Sequence, residues 1–334
     1  MKKEKITVSL IAKKAGVSAA TVSRVLNHRS LVKPGTIQKV EAAMTALGYS
    51  FDPGEQIGVS AQPLIILNVP DGNVFYQEVI NGAKTSAKAH GYHLLIHEAP
   101  LTRGSIHNYC NLLHRVDSAG SILMNCVSED LLDQIHAIAP LVQCCEYNEN
   151  CNYPYVSIDD FAAAENATEY LISCGRNKIA LINGPLTYKY ARQRQSGFLS
   201  ALKKEDIFIP QNWLIQLPEI SYEMAYSSIC RLLNSETRPN AFFVVSDIFA
   251  AAVIRAAKRF NLNVPRDIMV VGFDNIELSL MTSPSITTIN QPRFQQGYSA
   301  CELLVEMIEH PELTPKSLIL DAELIIREST AASS

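Results

Sequence analysis

Between residues 18 and 24 the chain carries hydroxyls and a guanidinium at helical spacing: Ser18, Thr21, Ser23 and Arg24, with Ala19 and Ala20 among them. Hydroxyls so placed can donate to phosphate oxygens. An arginine fork can bind phosphate or the O6/N7 edge of guanine. A second set of polar residues follows short apolar runs further along: Phe75 and Tyr76, Cys145 and Glu146, Arg194, Ser246 and Asp247, and Asp274. Arg and Asp side chains exchange paired hydrogen bonds with hydroxyls, and aromatic rings cover the apolar faces of a ring ligand. Ser246 and Asp247 equally suit a helix start, and Arg194 a surface ion pair, so spacing alone leaves both readings open.

The first set needs short helices to carry it. Val8, Ile11, Ala12 and Ala15 recur at i, i+3, i+4 and i+7, one apolar helix face that Thr7 can cap. Gly16 stops that helix, and Ser18 can cap a second one whose Val22, Val25 and Leu26 point inward. Its outer face is then Ala19, Ala20, Thr21, Ser23 and Arg24, which has no large apolar residue to pack. A third helix runs from about Pro34 to Leu47 with Ile37, Val40, Met44 and Leu47 buried, and Gly48 ends it. Three short helices in residues 1–50 make a helix-turn-helix domain.

Charge supports a polyanion partner for that domain. Residues 1–50 hold nine Lys/Arg and two acids, a net +7, and the remainder holds 20 basic and 31 acidic residues, a net −11. A basic module on an acidic body confines contact with phosphate to the module. Residues 51–63 contain two Pro, two Gly and no periodicity, and read as a hinge or linker.

The second set needs an α/β scaffold. From Leu64 onward, twelve short apolar runs alternate with eight amphipathic stretches. Runs such as Leu64–Val69, Lys178–Ile182 and Ala241–Val245 are continuous rather than alternating, the mark of parallel strands covered on both faces. Some 270 residues exceed one comfortable core. Two doubly wound parallel-sheet lobes with a cleft between them are expected, with ligands beyond the carboxyl ends of the strands. The core then spans 64–334, with one lobe over about 64–158 and 291–320 and the other over about 159–290 and 321–330.

No G-x-S-x-G, Walker loop or G-x-G-x-x-G motif occurs, so no enzyme class is indicated. His90, His93 and His97 have metal-like spacing, but a helix end and a strand separate them and no acid completes the set; no metal is expected. No apolar run reaches transmembrane length, no signal-peptide h-region follows the basic start, and the eight cysteines form no C-x-x-C pair. Those features fit reduced thiols, most of them core filler, in a cytoplasmic protein.

Together these motifs resemble the lactose/galactose repressor (LacI/GalR-type) family of bacterial transcription regulators. The resemblance rests on Val17-Ser18-x-x-Thr21-Val22-Ser23-Arg24-Val25-Leu26-Asn27 and Leu47-Gly48-Tyr49. In the body, Asn183-Gly184-Pro185, Arg194-x-x-Gly197-Phe198, Ser246-Asp247, Val271-Gly272-Phe273-Asp274-Asn275 and Glu323–Thr330 follow in order. The Phe273–Leu278 and Asn290–Arg293 runs are similar to cytidine-repressor-like members. The resemblance implies a periplasmic-binding-protein-like core and a homodimer on a near-palindromic DNA operator. It also implies a small effector, such as a sugar, sugar derivative or nucleoside, in the cleft, and no other cofactor. A solute-binding transport protein with the same core is the alternative.

Carried over by position, Ser18, Thr21 and Ser23 would hold phosphates and Arg24 would reach a base. Ala19 and Ala20 occupy the two positions that members vary, where methyl groups can only touch thymine methyls. Thr7, Val8, Asn27, His28 and Ile57 are further candidate DNA contacts. Arg194 and Asp274 match the effector-gripping Arg and Asp, and Phe75, Tyr76 and Ser246 match lining positions. Cys145 stands where many members carry Asp or Asn, with Glu146 next to it. The segment Tyr49–Gly58 departs from the family's hinge: Gly54 and Gly58 each disfavour a helix by about 1 kcal/mol, and only Ile57 could wedge into a minor groove. A weak hinge helix and little operator bending are expected. No heptad tail follows Thr330, which favours a dimer over a tetramer.

Overall fold

A computed structural model describes residues 8–18, 21–22, 25, 32–47, 62–70, 72–313 and 316–331. The chain divides into two compact units, Met1–Gln62 and Pro63–Ser334.

In the first unit, α1 (Val8–Ala15) ends at Gly16, whose φ of 65° lies in the left-handed region that glycine enters without steric cost. Ser18 then opens a second helical turn: its Oγ accepts from the Thr21 N–H at 3.1 Å and its carbonyl from the Val22 N–H at 3.1 Å. Thr21, Val22 and Val25 are helical there. α2 (Pro34–Ala46) begins on Pro34, which spends no amide at a position where an amide has no helical partner. Ile11, Ala12, Val22, Val25, Val40 and Met44 form the buried cluster, with Ala15, Val17, Ile37 and Leu47 partly buried against it. The apolar faces read from the sequence are therefore the ones that meet. Val8 belongs to α1. The expectations placed on Thr7, Ala19, Ala20, Ser23, Arg24, Leu26, Asn27, His28 and Ile57, and on the hinge, lie outside the described residues.

The second unit is built on two six-stranded sheets. One comprises β1 (Leu64–Val69), β2 (His93–Glu98), β3 (Ser118–Leu123), β4 (Leu141–Cys144), β5 (Tyr155–Ile158) and, last in the chain, β11 (Leu318–Leu320). Its order is β11-β5-β4-β3-β1-β2 and every pairing is parallel. The other comprises β6 (Ile179–Asn183), β7 (Leu214–Gln216), β8 (Ala241–Val244), β9 (Met269–Phe273), β10 (Thr287–Asn290) and β12 (Glu323–Ile325), ordered β12-β10-β9-β8-β6-β7. Here the sequence expectation of purely parallel sheets needs one correction: β12 runs antiparallel to β10. Only Asp321 and Ala322 separate β11 from β12. A crossover helix cannot fit in two residues, so β12 enters its sheet in the opposite sense.

Helices cover both sheets: α3 (Tyr76–Ala89), α4 (Ile106–Arg115), α5 (Glu129–His136), α6 (Asp160–Ser173), α7 (Lys189–Lys204), α8 (Tyr222–Leu233), α9 (Asp247–Arg259), the short α10 (Leu278–Met281) and α11 (Arg293–Glu309). The single turn of α10 is too short for periodicity to reveal. One close helix crossing holds each lobe, α3 against α11 and α6 against α7. A Cβ on Gly82 or Gly297 would collide with the facing backbone of α11 or α3, and one on Gly197 with the backbone of α6. The buried strands and covering helices form large apolar clusters, one around Phe198, Phe242, Phe243 and Phe273 and one around Ile65, Leu67, Val142 and Leu304.

The chain passes between the sheets three times, between β5 and α6, between β10 and α11, and between β11 and β12. All eight thiols are free. Cys144 and Cys301 are buried, and Cys110, Cys145, Cys151 and Cys230 are partly exposed but pack against the apolar clusters, so most cysteines do fill the core. No described helix is long and apolar enough to cross a membrane.

Candidate functional site

The carboxyl ends of both sheets face one cleft of about 810 Å³, open mouth included. Two strand-end residues enter it through left-handed backbone: Cys145, after β4, at φ 66°, and Asp274, after β9, at φ 101°. Such conformations cost of order 1–3 kcal/mol each for non-glycine residues and persist where surrounding bonds enforce them. The Cys145 carbonyl accepts from Ser157 Oγ at 2.7 Å, and the Asp274 N–H donates to the Ile289 carbonyl at 2.9 Å.

The floor is an ion network centred on Asp160, the first residue of α6 after the chain crosses from β5. Lys189 Nζ donates to Asp160 Oδ2 at 2.6 Å and to Ser157 Oγ at 2.9 Å. Arg194 Nε donates to Asp160 Oδ1 at 2.8 Å, and its Nη1 donates to the Val245 carbonyl at 2.9 Å and lies 3.8 Å from Asp274 Oδ1. Lys189 is fully buried and Asp160 and Arg194 nearly so. Burial works against the Asp160 carboxylate, but Lys189 and Arg194 outweigh it and its pKa is lowered. Burial likewise disfavours the Lys189 ammonium, and Asp160 and Glu146 reverse the balance. The Arg194 guanidinium lies 3.5 Å from the Phe273 ring centre and 4.9 Å from that of Tyr190, so its flat face is fixed between two rings.

Glu146 ties the other lobe to this floor. Its carboxylate accepts from the Lys189 N–H at 2.8 Å and the Tyr190 N–H at 3.0 Å, the first amides of α7. Those amides have no helical acceptor, and the positive end of the helix favours an anion there. Even so, burial pushes the Glu146 carboxyl up to about 7, with Lys189 opposing. Beside it, Glu149 accepts from Arg192 Nη2 at 2.9 Å and from Gln193 Nε2 at 2.6 Å.

Asp274 accepts from Gln291 Nε2 at 2.8 Å, and burial raises its pKa against the pull of Arg194. Ser246 caps α9, accepting from the Ile248 N–H at 3.3 Å, and also lines the cleft. The two open readings of Ser246 are therefore both realised. Phe75 and Tyr76 meet edge to face at 5.3 Å on one wall, and Tyr188 and Tyr190 stack at 5.6 Å on the other. Pro218, Glu219 and Ile220 border the mouth.

Of the effector residues expected from sequence, Phe75, Tyr76, Cys145, Glu146, Arg194, Ser246 and Asp274 line the cleft. Asp247 does not, which corrects its assignment: it is fully buried behind Ser246. Its Oδ1 accepts from Thr288 Oγ1 at 2.6 Å and its Oδ2 from the Ile276 N–H at 2.9 Å, so it fastens the loop after β9. Sequence reasoning missed Asp160, Pro218, Glu219, Ile220 and Gln291. Each follows a strand end, so the rule that found Cys145 and Asp274 would have found them if applied to β5, β7 and β10. Tyr188, at the start of α7, follows no such signal. The three spaced histidines diverge: His90 pairs with Glu302 at 2.9 Å and His97 faces the buried Asn68.

Residues 7–52 match the lacI family of bacterial regulatory proteins, and residues 168–330 match the periplasmic binding protein-like domain. The chain is 31% identical over 330 residues to the HTH-type transcriptional repressor CytR of Escherichia coli strain K12, covering 98% of this chain and 96% of that protein. It superposes with a TM-score of 0.73 on the transcriptional regulator CelR in complex with cellobiose, at 25% identity over 97% of this chain and all of that one. A LacI family regulator from Enterococcus faecium with bound ribose gives a TM-score of 0.72 at 27% identity, covering 81% of this chain and all of that one. With its helix-turn-helix unit, its two-lobed α/β core and a relative at this identity over nearly its whole length, the chain belongs to the lacI family of bacterial transcriptional regulators.

Proposed function

We propose that this protein is a cytoplasmic transcriptional repressor that binds a near-palindromic DNA operator as a homodimer, and that a small metabolite in the cleft sets its affinity for DNA. The observation that carries the effector reading is the cleft floor, where Arg194, Asp274, Gln291 and Ser246 converge beside four aromatic rings. Acceptors, donors and ring faces in that arrangement suit a sugar, sugar derivative or nucleoside. The relatives holding cellobiose and ribose favour the same class. Because Asp160 and Gln291 sit where the chain crosses between lobes, a ligand gripping the floor acts directly on the lobe angle. A shift in that angle sets the spacing of the two DNA-reading helices across the dimer, and operator and effector then alter each other's affinity equally. A transport role for the same core is disfavoured by the helix-turn-helix unit. Catalysis is disfavoured because Asp160, Lys189 and Arg194 are committed to one another.

A thermal-shift screen of sugars, sugar phosphates and nucleosides tests the cleft: an effector raises the melting temperature with concentration, and Arg194→Ala abolishes the shift. On the DNA side, affinity for a palindromic site falls steeply with salt, and Arg24→Ala costs roughly 1–3 kcal/mol at one base pair only. Uniform weakening on all sequences would assign Arg24 to phosphate instead. Sedimentation that finds a monomer at operator-saturating concentrations would remove the homodimer.

A further inference from the structure

Three features of the cleft attract anions by themselves: the positive end of the 16-residue helix α7, the Lys189 ammonium and the Arg194 guanidinium. Each already holds a group of the protein. The Glu146 carboxylate occupies the first two amides of α7. Lys189 Nζ is bound to Asp160 and Ser157, and Arg194 Nε and Nη1 are bound to Asp160 and the Val245 carbonyl. The cleft lining also holds four acids, Glu146, Asp160, Glu219 and Asp274, against one basic residue, Arg194. We infer that the cleft selects an uncharged ligand over its phosphate ester, and that Glu146 is the residue that sets this selection. The inference rests on the effector reading above and narrows its ligand class.

Glu146 is singled out by its place. It is 5% exposed, lines the cleft, and belongs to the lobe opposite the helix it caps. A phosphate aimed at the start of α7 meets a carboxylate already seated there, in a buried setting where like charges are poorly screened. The first two amides there are already taken. Asp160 cannot set the selection in the same way, because its charge is balanced by Lys189 and Arg194 together. Glu219 borders the mouth and is exposed to solvent, which screens it. An uncharged ligand loses nothing to this arrangement and still finds the Asp274 carboxylate, the Gln291 amide, the Ser246 hydroxyl and the aromatic walls.

The test uses the full chain and matched pairs: ribose and ribose 5-phosphate, glucose and glucose 6-phosphate, cytidine and cytidine monophosphate, adenosine and adenosine monophosphate. Thermal shift finds the binding pairs, and calorimetry measures them at one ionic strength and at pH 8, above the value of about 7 to which burial pushes the Glu146 carboxyl. In each pair that binds, the unphosphorylated member is favoured by at least about tenfold. Glu146→Gln keeps the shape and an acceptor for one amide but removes the charge, and it brings the ratio toward unity. Glu149→Gln removes the same charge outside the cleft lining and leaves the ratio unchanged. A phosphate ester that binds the unaltered chain as tightly as its parent overturns the inference and leaves the effector reading standing. A full preference retained in Glu146→Gln overturns the role of Glu146. If no member of any pair binds, the effector reading falls and the inference with it.

Discussion

Asp160 and Asp247 are both sealed from solvent in the same half of the molecule, each the first residue of a helix that follows a parallel strand. Their surroundings drive them in opposite directions. Asp160 lies between two cations and its pKa is lowered. Asp247 has a hydroxyl and a backbone amide as partners, with Asp274 nearby, and burial pushes it up to about 8. Burial alone therefore does not decide whether a carboxyl is charged; the partners that share the burial do. Glu146, held by two amides and near Lys189, falls between them at about 7. The charged carboxylate lines the cleft and orders its cations, whereas the neutral one fastens a loop behind it.

The contrast can be broken most sharply at Asp160. Asp160→Ala removes the carboxylate that the buried Lys189 and Arg194 share and is expected to cost about 3–5 kcal/mol, read by urea denaturation. Asp247→Ala strands one hydroxyl and one amide and is expected to cost about 1–3 kcal/mol. Equal losses at the two sites would show that charge pairing does not distinguish them. Asp247→Asn, which imitates the neutral carboxyl, is expected to cost less than Asp247→Ala at pH 7.

The smallest effect is the dependence of stability on pH. Between its ordinary 3.8 and about 8, Asp247 keeps a proton in the folded chain that the unfolded chain has released. Stability contributed there falls as pH rises through that window. Glu146 acts in the same sense between 4.5 and about 7. Asp160 acts in the opposite sense: its contribution is present above 3.8 and is lost as pH falls below it. The melting temperature of the unaltered chain is therefore expected to drop from pH 6 to pH 8, and Asp247→Asn to flatten the drop between pH 7 and 8. An unchanged slope in that variant would place the titration elsewhere.

Much of the fold was legible because its signals are local. Continuous apolar runs such as Leu64–Val69 and Tyr155–Ile158 are strands with those same bounds, and the helix expected over 293–309 spans Arg293–Glu309. The helix faces around Ile11, Val22 and Val40 were readable for the same reason: a period of 3.6 residues needs only one window of sequence. The reversed β12 was not, because strand direction follows from the length of a link and from the sheet that receives it. The cleft was half legible. Strand ends pointed to Cys145, Arg194 and Asp274, but Asp160, which joins two cations from α7, gave no sign of its partners.

By itself, the sequence determined the helix-turn-helix unit, the alternation of strands and helices, and the strand-end positions from which a cleft is built. These depend on residue type and spacing within a few turns of chain. Only the tertiary structure decided which carboxyls keep their charge and which groups share the cleft. Ser246 and Asp247 are neighbours in the chain, yet one lines the cleft and the other is buried behind it. Glu146 and Lys189 lie far apart in sequence and meet at the start of α7. Charge state depends on what surrounds a group in three dimensions, and that depends on folding both lobes around it.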